Sequence, residues 1–440
     1  MIGQEIHNLA RRLWPINRSL TGPGVRQTLE IIQEHLPQLT IQSVPSGYKA
    51  FDWQVPQEWE IREAWIKTPS GDKICDFSIN NLHVLGYSSP IHKRISLNEL
   101  QGHLYSLPEQ PAAIPYITSY YKERWGFCIS QEQRNRLEEG EFEVFIDSRL
   151  FDGELSYGEL LIPGERQEEV FLSTYICHPS MANNELSGPT VTTYLGKWLS
   201  GLEKRKYTYR IVFIPETIGS IVYLSKHLDH LKTHVKAGFN ISCVGDDRAY
   251  SYLPSRKGDT LSDRIAQHVL EGIAPDYNRY EWFHRGSDER QYCAPQVDLP
   301  IASMMRTKYG EYPEYHTSLD DLENVVTPAG LEGGYNALKL ALEALEKNCY
   351  PLMKVLCEPQ LGKRGLYPTL STKETGAKMQ LMMDIITWSD GTRSLLEIAE
   401  KCRTPIWGTY SIISQLKEHE LLELREGALT LDPKKCEPPL

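Results

Sequence analysis

The chain has 440 residues, which is roughly two to three times the length of an ordinary domain, so we expect one large unit with one or two smaller ones. With 40% hydrophobic and 24% charged residues its composition is that of a soluble globular protein, and the formal net charge of -11 disfavours nucleic acid and anionic lipid as partners. No segment resembles a signal peptide or reaches the ~20 apolar residues of a membrane span, so we expect a cytoplasmic protein without a membrane partner. The nine cysteines are widely spaced without a C-x-x-C pair, which favours reduced thiols.

Helical spacing of apolar residues predicts two helices near the start of the chain, over 4–13 and 24–36. Residues 44–114 are then rich in short aromatic, β-prone pieces separated by Gly, Pro, Asp and Asn, which indicates a small β-rich inserted domain. We therefore expect a catalytic domain built from residues 1–43 and 115–355.

The middle of the chain alternates apolar runs with predicted helices over 187–201, 220–232, 261–272 and 328–347. Apolar runs without polar alternation are typical of strands buried on both faces of a parallel sheet. The pattern predicts a three-layer α/β/α sandwich around a mostly parallel mixed sheet, with ligands at the carboxyl ends of the strands. Residues 376–440 follow as three helices and two short strands, the order of a winged helix-turn-helix.

Several residues with metal-binding or acid-base chemistry follow the apolar runs. They are His178 with Asn183, Asn184 and Glu185, then Glu216, then Asp246 and Asp247, then His316. A single histidine at a strand end is usually structural, but this set offers both imidazole and carboxylate ligands with one carboxylate to spare as a general base. Glu216 follows a buried run and Pro215, where an unpaired carboxylate is costly, so a cation is expected beside it.

These residues lie in segments that resemble the zinc aminopeptidase and glutamate carboxypeptidase superfamily. The segments are HPSMANNELSG at 178–188, PETIGS at 215–220, GSDERQY at 286–292 and EYHTSLDDLENV at 314–325. More narrowly, IPYITSYYKERWGFC, YICHPSMANNELSGP, YGEYPEYHTSLDDLENV and CEPQLGKRGLYPTLS resemble the bacterial aminopeptidase-like family of unknown function, which has a nested small domain and a C-terminal winged helix. The resemblance implies that His178 and His316 bind zinc and that Glu216 is the general base for water on the metal.

The chain departs from the superfamily pattern at positions that bind a second metal. The bridging Asp falls on Asn184, its neighbouring Asn on Glu185, the second Glu on Thr217, and an Asp of the fourth strand region on Ser242. We therefore expect one zinc ion, held by His178, Glu185 and His316 with Asp247 or Asp246 as a possible fourth ligand. Ligand chemistry favours Glu185 over Asn184, which is left as a substrate-binding residue.

A substrate carboxylate could be bound by arginines near these segments, Arg256, Arg306 or Arg285, although the favoured interpretation is that each pairs with an acid or a backbone carbonyl. The adjacent Tyr120 and Tyr121 could line a pocket. Residues 376–440 contain eight Lys and Arg against ten Asp and Glu, so a nucleic-acid partner is not expected and the winged helix should pack on the catalytic domain or a second subunit.

The leading hypothesis is a zinc-dependent, aminopeptidase-like hydrolase of amide bonds that acts on a small peptide-like or aminoacylated substrate. Two alternatives remain open: a catalytically silent binding protein, suggested by the lost carboxylates, and a DNA-binding regulator, suggested by the winged helix alone. The sequence leaves homo-oligomerisation open.

Overall fold

The computed structural model describes residues 1–120, 122–366 and 373–429, so Tyr121 lies outside the described residues. The chain forms two compact units. The first contains residues 1–264 and 277–338, and the second contains 265–276 and the described residues from 339 onward.

The helices of the described residues are Ile2–Leu13 (α1), Pro23–His35 (α2), Leu97–Gln101 (α3), Gln131–Arg134 (α4), Ser187–Ser200 (α5), Ile218–His234 (α6), Leu261–Ile273 (α7), Glu289–Tyr292 (α8), Pro328–Lys347 (α9), Lys373–Trp388 (α10), Leu395–Lys401 (α11) and Ile406–Glu418 (α12). Each long helix predicted in the middle of the chain is present. A turn of π-helix, Ala182–Leu186, directly precedes α5.

The strands are Thr40–Pro45 (β1), Lys49–Ala50 (β2), Trp53–Gln54 (β3), Glu58–Lys67 (β4), Lys73–Ile74 (β5), Ile91–Ser96 (β6), Leu104–Tyr105 (β7), Phe127–Cys128 (β8), Glu141–Phe151 (β9), Glu154–Ile162 (β10), Glu169–Tyr175 (β11), Thr208–Ile214 (β12), Val235–Asn240 (β13), Ser251–Leu253 (β14), Asn278–Arg279 (β15), Ile301–Met305 (β16), Tyr350–Met353 (β17) and Leu422–Arg425 (β18).

The main sheet has eight strands in the order β1-β10-β12-β11-β13-β16-β14-β15. Its centre, from β12 to β16, is parallel, and antiparallel pairs stand on either side. Side chains of β12 alternate between two helical layers: Ile211 lies close to Gly196 of α5, whereas Val212 packs in a cluster with Ile221 and Val222 of α6. The three-layer α/β/α sandwich with a mostly parallel sheet is therefore confirmed.

A second sheet of four strands, β5-β4-β9-β6, has its own apolar core that includes Ala64, Ile66, Phe142 and Val144. Strand β9 pairs with β4 and β6, although the sequence predicted the inserted β-rich segment to end at residue 114. The β-rich sheet therefore also uses chain beyond that boundary, because its central strand is supplied from residues 141–151.

The second unit contains the three helices of a winged helix, α10, α11 and α12, followed by β18. Strand β18 pairs with β17, which lies before the expected boundary at residue 376. Part of the predicted second strand, 428–431, lies outside the described residues. Within the described ranges, no helix is both long and apolar enough to cross a membrane.

Candidate metal and catalytic site

His178 and Glu216 meet because they follow neighbouring parallel strands. Tyr175 of β11 is in register with Ile214 of β12, and each strand is followed by its functional residue within three positions. The His178 Nε2 atom lies 3.6 Å from a Glu216 carboxylate oxygen. The carboxyl ends of the central strands thus bring these side chains together, as the sequence predicted.

His316 comes to the same place from the loop that follows β16. Its backbone carbonyl accepts a hydrogen bond of 2.9 Å from the amide of Tyr116. The imidazole rings of His178 and His316 have centroids 5.8 Å apart, and the edge of the Tyr116 ring meets both at 5.2 and 5.3 Å. Tyr315 stacks on His316 at 3.9 Å. Aromatic packing therefore fixes the orientation of both imidazoles.

Glu185 lies behind His178, on the side away from Glu216. Its Oε2 atom is 2.9 Å from His178 Nδ1, and its Oε1 atom is 3.3 Å from the buried Arg18 guanidinium. All three side chains are almost fully buried. When Nδ1 donates to the carboxylate, Nε2 is the ring nitrogen left to face Glu216.

The π-turn that carries Glu185 is held in place by the carboxylate of Asp320. This carboxylate accepts hydrogen bonds from the amides of Asn183 and Asn184, at 2.7 and 2.9 Å. The side chain of Asn184 donates to the Tyr175 hydroxyl at 3.0 Å. Irregular turns of this kind occur frequently at functional sites, and this one aims Glu185 at His178.

The two histidines have opposite electrostatic surroundings. Burial alone would lower the pKa of His178, but its hydrogen bond to Glu185 and the charges of Glu185 and Glu216 raise this pKa above its ordinary value. Burial and the charge of His178 lower the pKa of His316 to about 3. His316 is therefore a neutral imidazole at physiological pH, which is the form that binds metal ions.

The two imidazole rings are spaced as in a pair that shares a zinc ion on the cavity side of His178. Two imidazoles that share one zinc ion, with each nitrogen about 2.0–2.1 Å from it, have ring centroids roughly 5 Å apart, close to the separation of His178 and His316. Both rings and Glu216 line a cavity of about 410 Å³. Glu185 does not line this cavity. It contacts Nδ1 of His178, the ring nitrogen on the other side from the cavity.

Cys177 is a further candidate ligand that the sequence did not single out. Within the described residues, Cys177, His178 and Glu185 bring one potential ligand atom each within 4.8 Å of one another. The Cys177 thiol also lines the cavity and accepts a hydrogen bond from the Glu216 amide at 3.2 Å.

Glu216 has the environment of a general base. Its burial raises the pKa of the carboxyl, against the lowering effect of the His178 charge. The next residue, Thr217, has φ 64° and ψ -74°, a conformation that costs a β-branched residue about 1–3 kcal/mol. The Asp288 carboxyl group helps to hold this turn, because its Oδ1 atom accepts a hydrogen bond of 2.7 Å from the Thr217 amide.

The two aspartates considered as fourth ligands lie elsewhere. Asp246 is buried and accepts hydrogen bonds from the side chain of Asn183 and from the amide and hydroxyl of Thr307. Asp247 is exposed and accepts a hydrogen bond from the Thr327 hydroxyl. Neither carboxylate lines the cavity that His178, Glu216 and His316 share.

The arginines predicted as substrate clamps are also placed away from this cavity. Arg256 is in an ion pair with Asp298, and Arg306 lies over the Tyr250 ring and donates to the Ala249 carbonyl. Arg285 packs on Trp282. The cavity instead contains Arg290, which the sequence analysis missed because its short helix has no periodic signal, and Tyr120, which it did propose.

Two family models match the chain in succession. The Domain of unknown function DUF4910 matches residues 7–348, and a winged helix-turn-helix model matches residues 348–424. A Clostridium acetobutylicum protein called a polysaccharide biosynthesis protein with aminopeptidase-like domain is 45% identical over 401 residues, which is 91% of each chain.

Solved structures give the same architecture. A crystal structure of a C. acetobutylicum protein described as a candidate peptidase superposes with a TM-score of 0.90 at 43% identity and covers 96% of each chain. A zinc aminopeptidase from Bacillus subtilis superposes with a TM-score of 0.55 at 13% identity, covering 78% of this chain and 94% of the other, which shows a shared fold. The chain therefore belongs to the DUF4910 family, with an aminopeptidase-like fold and a C-terminal winged helix.

Proposed function

We propose that this protein is a zinc-dependent hydrolase of amide bonds in which Glu216 is the general base. The observation that carries the proposal is the convergence of His178, His316 and Glu216 on one cavity, with the His178 Nε2 atom facing the carboxylate at 3.6 Å. The fold shared with aminopeptidases supports the same reaction class.

His178 Nε2 and His316 would hold the zinc ion, and the Cys177 thiol lines the same cavity. Zinc at these ligands supplies Lewis acidity to a substrate carbonyl and to water. Glu216 takes a proton from the attacking water and passes it to the leaving nitrogen, for which its raised pKa is suited. Tyr116 keeps both imidazoles in position, and Glu185 holds the His178 tautomer.

The test is the Glu216→Gln variant with metal content and turnover measured together. We expect about one zinc ion per chain in both proteins, with hydrolysis of acyl and aminoacyl amides reduced about 10²–10⁴-fold in the variant. Glu139→Gln, an exposed position in the first unit, is the matched control. Wild-type protein that holds zinc but turns over none of these amides would instead support a binding protein without catalysis.

A further inference from the structure

The charges inside the cavity bear on which substrate it accepts. Among the described residues that line it, Glu216 is the one carboxylate and Arg290 the one permanently charged cation. Glu216 is partly buried and is assigned to proton transfer. A free α-ammonium group, which an aminopeptidase must bind, therefore finds no other carboxylate on these walls and faces a guanidinium.

Arg290 is held where it can reach a bound ligand. It belongs to the short helix α8 and is exposed, and one of its amino groups donates to the Thr217 hydroxyl at 2.8 Å. A guanidinium has five N–H donors, so this bond leaves most of them available to a ligand. The positive charge of Arg290 also acts to lower the pKa of Glu216, which places it close to the reacting carboxylate.

A second positive element lies beside Arg290. Helix α6 has 17 residues and begins at Ile218, which lines the cavity directly after Thr217. The N-terminus of a helix carries a partial positive charge that favours anions. The end of α6 therefore adds a partial positive charge beside Arg290, although the Thr217 amide that precedes it is already bonded to Asp288.

We infer that the substrate is an N-acylated amino acid or short peptide whose free carboxylate is bound by Arg290. This inference rests on the proposed function for the reaction, but the binding preference stands on the cavity alone. Arginine and a carboxylate form two parallel charged hydrogen bonds, a geometry that an amide or ammonium group cannot reproduce. Trp53 and Tyr120 line the cavity and provide aromatic surface for the acyl group.

The reaction on such a substrate balances as an ordinary hydrolysis. The oxygen of water bonds to the acyl carbon while the carbon–nitrogen bond breaks. The proton removed by Glu216 goes to the departing nitrogen. The products are a carboxylic acid and an amino acid or peptide, whose carboxylate is still bound at Arg290.

The inference is tested by calorimetric binding of three probes to the full-length, zinc-loaded protein. The probes are N-benzoylglycine, its carboxamide N-benzoylglycinamide, and phenylalaninamide, which carries a free ammonium. We expect N-benzoylglycine to bind about tenfold or more tighter than either of the others, since a charged hydrogen bond contributes this much. Arg290→Gln should remove the preference, and Arg290→Lys should restore part of it.

Arg285→Gln is the matched control, because Arg285 is an exposed arginine of the same segment that packs on Trp282 outside the cavity. Thermal denaturation checks that each variant is folded. The inference would be overturned if N-benzoylglycine did not bind at millimolar concentration, or if it bound no more tightly than its carboxamide or phenylalaninamide. A carboxylate preference that survives in Arg290→Gln would also overturn it. A carboxylate preference in a protein that hydrolyses no amide would refute the proposed reaction and leave the binding of a carboxylate by Arg290 intact.

Discussion

At the scale of single residues, His178 depends on a buried chain of charges. Arg18 and Glu185 are both fully buried, and among the described residues Glu185 is the one acid within ion-pair distance of Arg18. Glu185 in turn accepts from His178 Nδ1. A carboxylate bound to the distal nitrogen of a metal-binding histidine fixes its tautomer and raises its basicity.

This arrangement predicts two separable effects of Glu185→Gln. Zinc affinity should fall about 10–100-fold because His178 loses its orienting carboxylate. The free energy of unfolding should fall by about 3–5 kcal/mol because Arg18 becomes a buried charge without a counterion. Competition with a chelator measures the first effect, and denaturant unfolding of the metal-free protein measures the second.

The double variant Arg18→Met/Glu185→Gln separates the two. Removing both charges should recover stability without recovering zinc affinity, since only the loss of stability comes from the unpaired arginine. If Glu185→Gln bound zinc as tightly as the wild type, Glu185 would have no role in orienting His178.

At the scale of elements, Asp288 connects α8 to the start of α6. Its Oδ1 atom accepts the Thr217 amide and the Ser220 hydroxyl, at 2.7 and 2.8 Å, so it acts as a helix cap supplied from another part of the chain. Burial and the charge of Glu216 raise the pKa of Asp288 to about 8. The carboxyl is thus largely protonated in the folded protein at neutral pH.

The raised pKa predicts how stability varies with pH. Between about pH 4 and pH 8 the folded state retains a proton that the unfolded state has released, so this group makes the wild type less stable as the pH rises, by up to about 1.4 kcal/mol per pH unit. Asp288→Asn has no such group. Its stability relative to the wild type should therefore increase from pH 4 to pH 8.

Urea unfolding of the metal-free proteins across this pH range measures the difference, with Asp259→Asn at an exposed position as control. If the stability difference between Asp288→Asn and the wild type stayed constant with pH, the pKa of Asp288 would not be raised in the folded protein.

Local patterns in the sequence predicted the helices well because each depends on its own periodicity. The predicted helix at 328–347 is α9, and that at 187–201 differs from α5 by one residue. The position of β9 in the second sheet was missed because strand pairing is a long-range property that an alternating sequence does not encode.

The candidate site divides in the same way. His178 and Glu216 could be predicted because each follows an apolar run, and His316 because it lies, like them, in a segment with a family resemblance. Arg18 and Arg290 could not be predicted, because they come from an irregular segment and a four-residue helix that have no periodic pattern. Whether Glu185 faces the cavity or the back of His178 is decided by the π-turn, whose geometry residue types alone do not specify.

At the scale of the whole molecule, the winged helix is the feature that the proposed reaction does not use. Its third helix, α12, buries Ile406, Thr409, Ile412, Ile413 and Leu416. The exposed face that remains carries Ser411, Ser414, Lys417 and Glu418, with one positive and one negative charge. Binding to duplex DNA requires several cationic contacts to phosphate, so this face lacks the usual electrostatic attraction.

We therefore predict that the full-length protein shows no salt-dependent binding to a mixed-sequence DNA duplex, measured by fluorescence anisotropy at about 10 µM protein and ~50 mM salt. The triple variant Ser411→Lys/Ser414→Lys/Glu418→Lys changes the charge of α12 without touching its buried face. It should bind the same duplex weakly and lose that binding as salt increases, which verifies that the assay detects this surface. Wild-type binding that weakens steeply with salt and is reduced by Lys417→Gln would make α12 a DNA-contacting helix despite its charge.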